Sequence, residues 1–340
     1  MFKRKTVFIV GAGGSKEVHF PVGGELKYTI AGKVNFSFAD GFNLSSGDRK
    51  IYSAIRSREQ AGIRDFNPWW TAGRMISAAM PQASSIDNFL HTHSKKPEIV
   101  EVGKLAIAAS ILEAEKSSPL YIDTRRRADL DFQGLPTTWH TIFVEMLAEY
   151  ADADNLDAIF DNVSFITFNY DRCIEHYVAE ALRNYFLIHQ EQAYELASKM
   201  RIFHPYGQVG RLPWPRNADG IPFGVDLHPP HLLNLATQIR TFTERIEDHA
   251  MLEAMKDTLA EAELVVCIGF AYAPMNLDLL SLMGSERSVG RVLGSCLGMS
   301  SPNQLAAADA VRLAFRTSNV QLVHLSGLQL LADYRADIMG

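Results

Sequence analysis

At 340 residues, with 47% apolar and 21% charged residues, the chain has the composition of a folded protein with a substantial core, which excludes general disorder. Its net charge of −6, from 33 basic and 39 acidic residues, argues against a broad electrostatic grip on nucleic acid. Val7 to Val10 is apolar on both faces and closed by glycine, which predicts a central strand of a parallel sheet covered on both sides. From about Asn35 to Asp161 that rhythm gives way to helical periodicity ("EIVEVGKLAIAASILEAE", "WHTIFVEMLAEYADA"), predicting a largely helical insertion. Within it, "FNPWW" (Phe66 to Trp70) reads as a packed loop. Strand runs then return at Val163 to Asn169, Met200 to Gly207, Glu263 to Tyr272, "RVLGSCLGM" and "VQLVHL", alternating with helices. The expectation is an open α/β sheet, Rossmann-like and mostly parallel, with residues 1–34 and 162–340 as core and 35–161 as insertion in a single domain. A further segment, "GRLPWPRNADGIPFGVDLHPPH", is too long for a simple turn and reads as a functional loop.

The cysteines Cys173, Cys267 and Cys296 lie far apart and form no CxxC pair. That argues against a zinc ribbon and suits a reducing compartment. No apolar run reaches the length of a membrane span, and after "MFKRK" the first, Val7 to Val10, lasts only four residues. A cytoplasmic chain without membrane contact is expected.

Four stretches carry candidate chemistry. In "VGAGGS", Gly11, Gly13 and Gly14 follow a strand directly. Either the backbone turns tightly there or a phosphate approaches it closely. Lys16 occupies the third glycine position of G-x-G-x-x-G, and no acidic residue follows at the end of a second strand, so the hydride-transfer fingerprint is incomplete. In "FITFNYDRCIEHYV", Asn169 and Asp171 sit at a strand's carboxyl end; one can cap the next helix, leaving the other for a different purpose. In "IFHPYGQVG", His204 and Tyr206 are two apart and predicted to share a strand face, with Gly207 opening space beside them. His204 would be either a structural histidine or, as a neutral imidazole, a general base. In "CIGFAYAPMNLDLL", Gly269 ends a buried strand and Asn276 opens a helix.

Together these stretches resemble the sirtuin-like family, and most of all its zinc-free branch found in bacterial defence systems. "GAGGSKEVHFPVGGEL" resembles the family's Gly-Ala-Gly-x-Ser loop, "TFNYD" its Thr-x-Asn-(Tyr/Ile)-Asp motif and "IGFAYAPMN" its third glycine turn. "SSIDNFL" (Ser84 to Leu90) resembles a Ser-Ile-Asp segment of the bacterial branch. The resemblance implies NAD across the carboxyl edge of the sheet. Gly11, Ala12, Gly13, Gly14 and Ser15 would line its diphosphate and nearby ribose. Asn169 would orient the nicotinamide ribose or a water, with Thr167 and Asp171 supporting that loop. Tyr206 and Gly207 would border the site, and Gly269 and Asn276 would face the adenosine half. The sequence departs from the family where Tyr206, not histidine, precedes Gly207. The resemblance implies an NAD glycohydrolase that releases nicotinamide and ADP-ribose, an antiphage effector inactive until a partner or infection signal arrives, with a homo-oligomer or a regulatory protein as its partner. A catalytically degenerate NAD or ADP-ribose sensor, or a scaffold, is the competing reading. The missing zinc module weighs against an NAD-dependent deacylase.

Overall fold

A computed structural model describes residues 2–41, 43–126, 129–214, 219–241, 244, 248–284 and 286–340. The chain runs through β1 (Thr6–Val10), a short antiparallel pair, β2 (Ser37–Phe38) and β3 (Leu44–Ser46), and then β4 (Val163–Thr167). β5 (Arg201–Phe203), β6 (Leu264–Ile268), β7 (Arg291–Ser295) and β8 (Val320–Val323) follow. All but β2 and β3 join one parallel sheet in the order β5-β4-β1-β6-β7-β8. Counting only its own strands, that is the 3-2-1-4-5-6 arrangement of doubly wound folds. The chain therefore has an open Rossmann-like α/β architecture. Every residue of β1 and β6 is buried, as expected of central strands with helices on both faces.

Register fixes the site. Val10 pairs with Thr167 on one side and Ile268 on the other, so the turns after β1, β4 and β6 leave the sheet level with each other. β5 is shorter than its apolar pattern predicts. It ends at Phe203 because Pro205 lacks a backbone donor, and the Gly207 N–H turns back to the His204 carbonyl at 2.9 Å.

The insertion is mainly helical, with the helices Arg49–Arg56, Asn67–Ala79, Ile86–Thr92, Pro97–Ser117 and Trp139–Ala148. The β2–β3 pair also lies within it, where the periodicity predicts no strand. "FNPWW" is not a loop: Asn67 opens a helix with Pro68 in its first turn, where a missing N–H costs nothing. Trp70 packs as expected, but on Tyr52 (5.2 Å, 20°) and Phe36 (5.1 Å, 70°). Insertion and sheet share one continuous core. Phe8 of β1 meets Phe143 edge-on at 5.4 Å and stacks on Phe165 at 5.3 Å.

Candidate functional site

The glycines of the first turn are explained by a second backbone. Gly11 N–H donates to the Ile268 carbonyl (3.0 Å) and Gly13 N–H to the Gly269 carbonyl (3.1 Å). A Cβ on Gly11 would lie 2.6 Å from the Gly269 oxygen, and one on Gly13 2.8 Å from the Gly269 Cα. Gly269 itself has φ +56°, and a Cβ there would stand 2.0 Å from the Gly14 nitrogen. The turns after β1 and β6 are clasped backbone to backbone at the point where the strand order reverses. Gly14 N–H is spent on the Gly11 carbonyl at 2.8 Å, so at least three N–H groups of this turn bond within the protein. Replacing Gly269 with alanine is expected to cost about 3 kcal/mol, from left-handed backbone strain plus the clash. Gly24→Ala, with nothing within 4 Å of its added Cβ, should be neutral or stabilising, and urea titration of the two variants checks both.

The second turn is tied to the first by one side chain. Asn169 Nδ2 donates to the Gly11 carbonyl (3.1 Å) and to Ser15 Oγ (2.9 Å), while its own N–H is held by Thr167 Oγ1 at 3.2 Å. Asn169 is 6% exposed, and its Oδ1 is buried without a hydrogen-bond partner. Asp171, one residue before the N-cap Arg172, is spent on the start of the next helix: its carboxylate accepts the Cys173 N–H at 3.1 Å. Burial raises its pKa, opposed by the Cys173 N–H and the Ser15 hydroxyl. Of the two polar groups at this strand end, Asn169 is the one left for another purpose.

The third stretch divides. Because β5 stops at Phe203, His204 and Tyr206 do not share a strand face. Tyr206 turns toward the other two turns: its hydroxyl donates to Asn276 Oδ1 at 2.8 Å, and its ring meets Phe168 (5.9 Å) and Tyr170 (6.2 Å). His204 turns away. Its Nε2 lies 2.9 Å from Glu175 Oε1 and its Nδ1 3.4 Å from the Asn169 carbonyl. Burial lowers the His204 pKa, but the adjacent Glu175 carboxylate and its hydrogen bonds outweigh that and raise it overall. With the Asn169 carbonyl on one ring nitrogen and the Glu175 carboxyl on the other, both nitrogens are engaged within the protein, unlike the free base expected of this position. Nor does Gly207 open space. At φ +71° its missing Cβ leaves room for the Gln238 carbonyl, which would be only 1.9 Å away.

The insertion reaches the same edge. Ser85 caps the helix Ile86–Thr92 by accepting the Asn88 N–H at 3.1 Å, which presents Asp87 to the Tyr170 hydroxyl. Asn88 Nδ2 meets Met275 Sδ at 3.9 Å. "SSIDNFL" thus links the second and third turns. Glu17 lies within the quoted glycine-loop stretch but has no role assigned from sequence, yet it joins three segments by accepting from Trp139 N–H (2.7 Å) and Leu328 N–H (2.9 Å). Trp139 Nε1 donates to the Gly14 carbonyl at 2.8 Å. Sequence reasoning also misses Glu175; an acid in the first turn of the helix Cys173–Phe186, at a strand's carboxyl end, is the available clue.

Two further histidines are buried neutral. Burial pushes His140 down to about 3 and His176 to about 4; His140 stacks on Trp139 at 4.0 Å and His176 on Phe223 at 4.3 Å. The unfolded chain binds these protons near pH 6.5 and the folded chain does not. Their contribution therefore falls as pH drops from about 6.5 toward 4. His176→Gln should lose less stability than the unaltered chain between about pH 7 and 4.5, measured by urea titration at each pH.

All three cysteines are buried and unpaired. Among the described residues no group of three or more His, Cys, Asp or Glu side chains could hold a metal, and no helix is long and apolar enough to cross a membrane. No protein-family model matches this chain, and no curated protein matches it in sequence. Fold and site together define an open parallel α/β protein with a polar cluster at the carboxyl edge of its reversal point.

Proposed function

We propose that this chain is a sirtuin-like protein that binds NAD at the carboxyl edge of its sheet and hydrolyses it to nicotinamide and ADP-ribose. The observation that carries the reading is Asn169: a buried side chain, fixed by both the Gly11 carbonyl and Ser15, whose Oδ1 has no partner. A buried acceptor left unmade costs about 1–3 kcal/mol, which a ribose hydroxyl or the attacking water would recover. The C1′–N bond breaks with its electron pair leaving on nicotinamide, positive charge builds on the ribose, and water adds to C1′ while its proton passes to solvent. Such a cation needs an oriented water more than a strong base. His204 is accordingly assigned a positioning role through the Asn169 carbonyl. Gly11 to Ser15 would line the diphosphate side, and Gly269 and Asn276 the adenosine side. The clasped N–H groups of the first turn count against a fully open phosphate cradle, so much of the affinity would come from side chains. The same reading makes the chain a cytoplasmic antiviral effector under partner or oligomer control.

A second reading, an NAD or ADP-ribose sensor without turnover, is favoured by Tyr206 standing where the family's base histidine stands. Incubation with NAD followed by chromatography separates the two. Nicotinamide and ADP-ribose in equal amounts support hydrolysis. Calorimetric binding of intact NAD without products supports the sensor, and neither binding nor products overturns both.

A further inference from the structure

Beside β5, away from the clasped turns, lies a cleft of about 780 Å³ whose lining includes Glu175, Gln208, Arg211, Trp214 and Arg240. Glu175 is 6% exposed. Its Oε1 holds His204 at 2.9 Å, while Oε2 is buried with no hydrogen-bond partner among the described residues. Gln208 Oε1 is likewise buried and unpartnered. Two buried acceptors bordering one cavity call for N–H donors from outside the chain.

The rest of the cleft narrows the chemistry. Arg240 is already paired with Asp248 at 2.7 Å. Arg211 is exposed, and no ion pair engages it among the described residues. It is free to take a phosphate. Trp214, half-buried with its ring 6.2 Å from that of Tyr194, offers the cleft an aromatic surface of the kind on which bases stack. The cavity falls within the size range of small-ligand sites. A planar ring with a donor edge and an attached anion describes a nucleotide. Adenine presents a donor beside an acceptor, whereas the guanine N1–H and N2–H₂ edge presents donors only, matching a carboxylate oxygen and an amide oxygen.

We propose that the β5-edge cleft is a second ligand site that takes a guanine nucleotide, with the base edge on Glu175 and Gln208, the ring against Trp214 and the phosphate at Arg211. The site does not depend on NAD cleavage at the carboxyl edge. The two meet where His204 bridges Glu175 and the Asn169 carbonyl.

Calorimetry of the full chain with GMP tests this, with IMP and AMP as comparators. The expected result is saturable GMP binding, weakened about tenfold or more, or about 1.4 kcal/mol, by Arg211→Ala and by Trp214→Ala, and unchanged by Asn169→Ala. IMP, which lacks the N2 amine, should bind about tenfold more weakly. Arg211 is a surface side chain, so its variant reports binding rather than folding, which a melting curve verifies. Absence of binding at millimolar GMP overturns the proposal. So does AMP binding as tightly as GMP, or GMP binding that is lost in Asn169→Ala but kept in Arg211→Ala.

Discussion

Asn169→Ala is expected to lower the rate of nicotinamide release from NAD by about 10²–10³-fold, the usual loss when one preorganised polar group is removed from a site of charge development. The same change deletes hydrogen bonds to the Gly11 carbonyl and Ser15 Oγ. A stability cost of about 1–3 kcal/mol should accompany it, which a melting curve separates from the kinetic effect. His204→Ala should cost much less, about tenfold, because in the proposed reading His204 has a positioning role: it touches the Asn169 carbonyl and is held by Glu175. Equal losses in the two variants would return His204 to the role of base and remove the distinction between catalytic and positioning groups.

The largest effect on folding is expected at Glu115. Arg172 is fully buried and meets Glu115 through two bonds, Nε to Oε1 at 2.9 Å and Nη2 to Oε2 at 2.6 Å. Its remaining donors reach the Ile221 carbonyl at 2.8 Å and the Pro222 carbonyl at 3.2 Å, and Gly224 N–H donates to Glu115 Oε2 at 2.9 Å. Burial raises the Glu115 pKa, with Arg172 as the main opposing influence. Glu115→Ala strands a guanidinium in the core and should cost about 3–5 kcal/mol in urea titration. The double change Glu115→Leu with Arg172→Met should recover most of that loss, since a buried pair replaced by apolar groups of similar size is often near neutral. A single-variant cost under about 1 kcal/mol would show that the pair does not anchor the 220–224 segment. This is also the physical account of the long irregular segment: its described part near Ile221 is folded around Arg172, the residue that follows the "TFNYD" motif.

Much of the sheet is legible in the sequence because its central strands are short, apolar on both faces and closed by glycine or asparagine. Where the sequence misleads, a periodic clue outweighs a local one. Pro205 marks the end of β5, yet the two-residue spacing of His204 and Tyr206 suggests a continuing strand. Other features have no local trace. Whether Gly11 and Gly13 serve a ligand or a neighbouring backbone depends on Gly269, which is remote in the chain and becomes adjacent only when β1 pairs with β6. Asn169 stands out by its place at a strand end, and what it holds appears only with its Nδ2 on the Gly11 carbonyl and Ser15 Oγ. The pairing of Tyr170 with Asp87 joins the insertion to the core; the "SSIDNFL" segment is recognisable, but nothing in its composition says what it touches. The crowding of Phe66, Trp69 and Trp70 in "FNPWW" points correctly to packing, although Pro68 marks a helix start there and not a loop.

The most direct test is a structure of the chain with a non-hydrolysable NAD analogue in which carbon replaces the ribose ring oxygen beside nicotinamide. The account predicts the dinucleotide across the carboxyl edge, its diphosphate along Gly11 to Ser15 and a nicotinamide-ribose hydroxyl or ordered water on Asn169 Oδ1. An analogue bound elsewhere, with Asn169 Oδ1 still unpartnered, would contradict it.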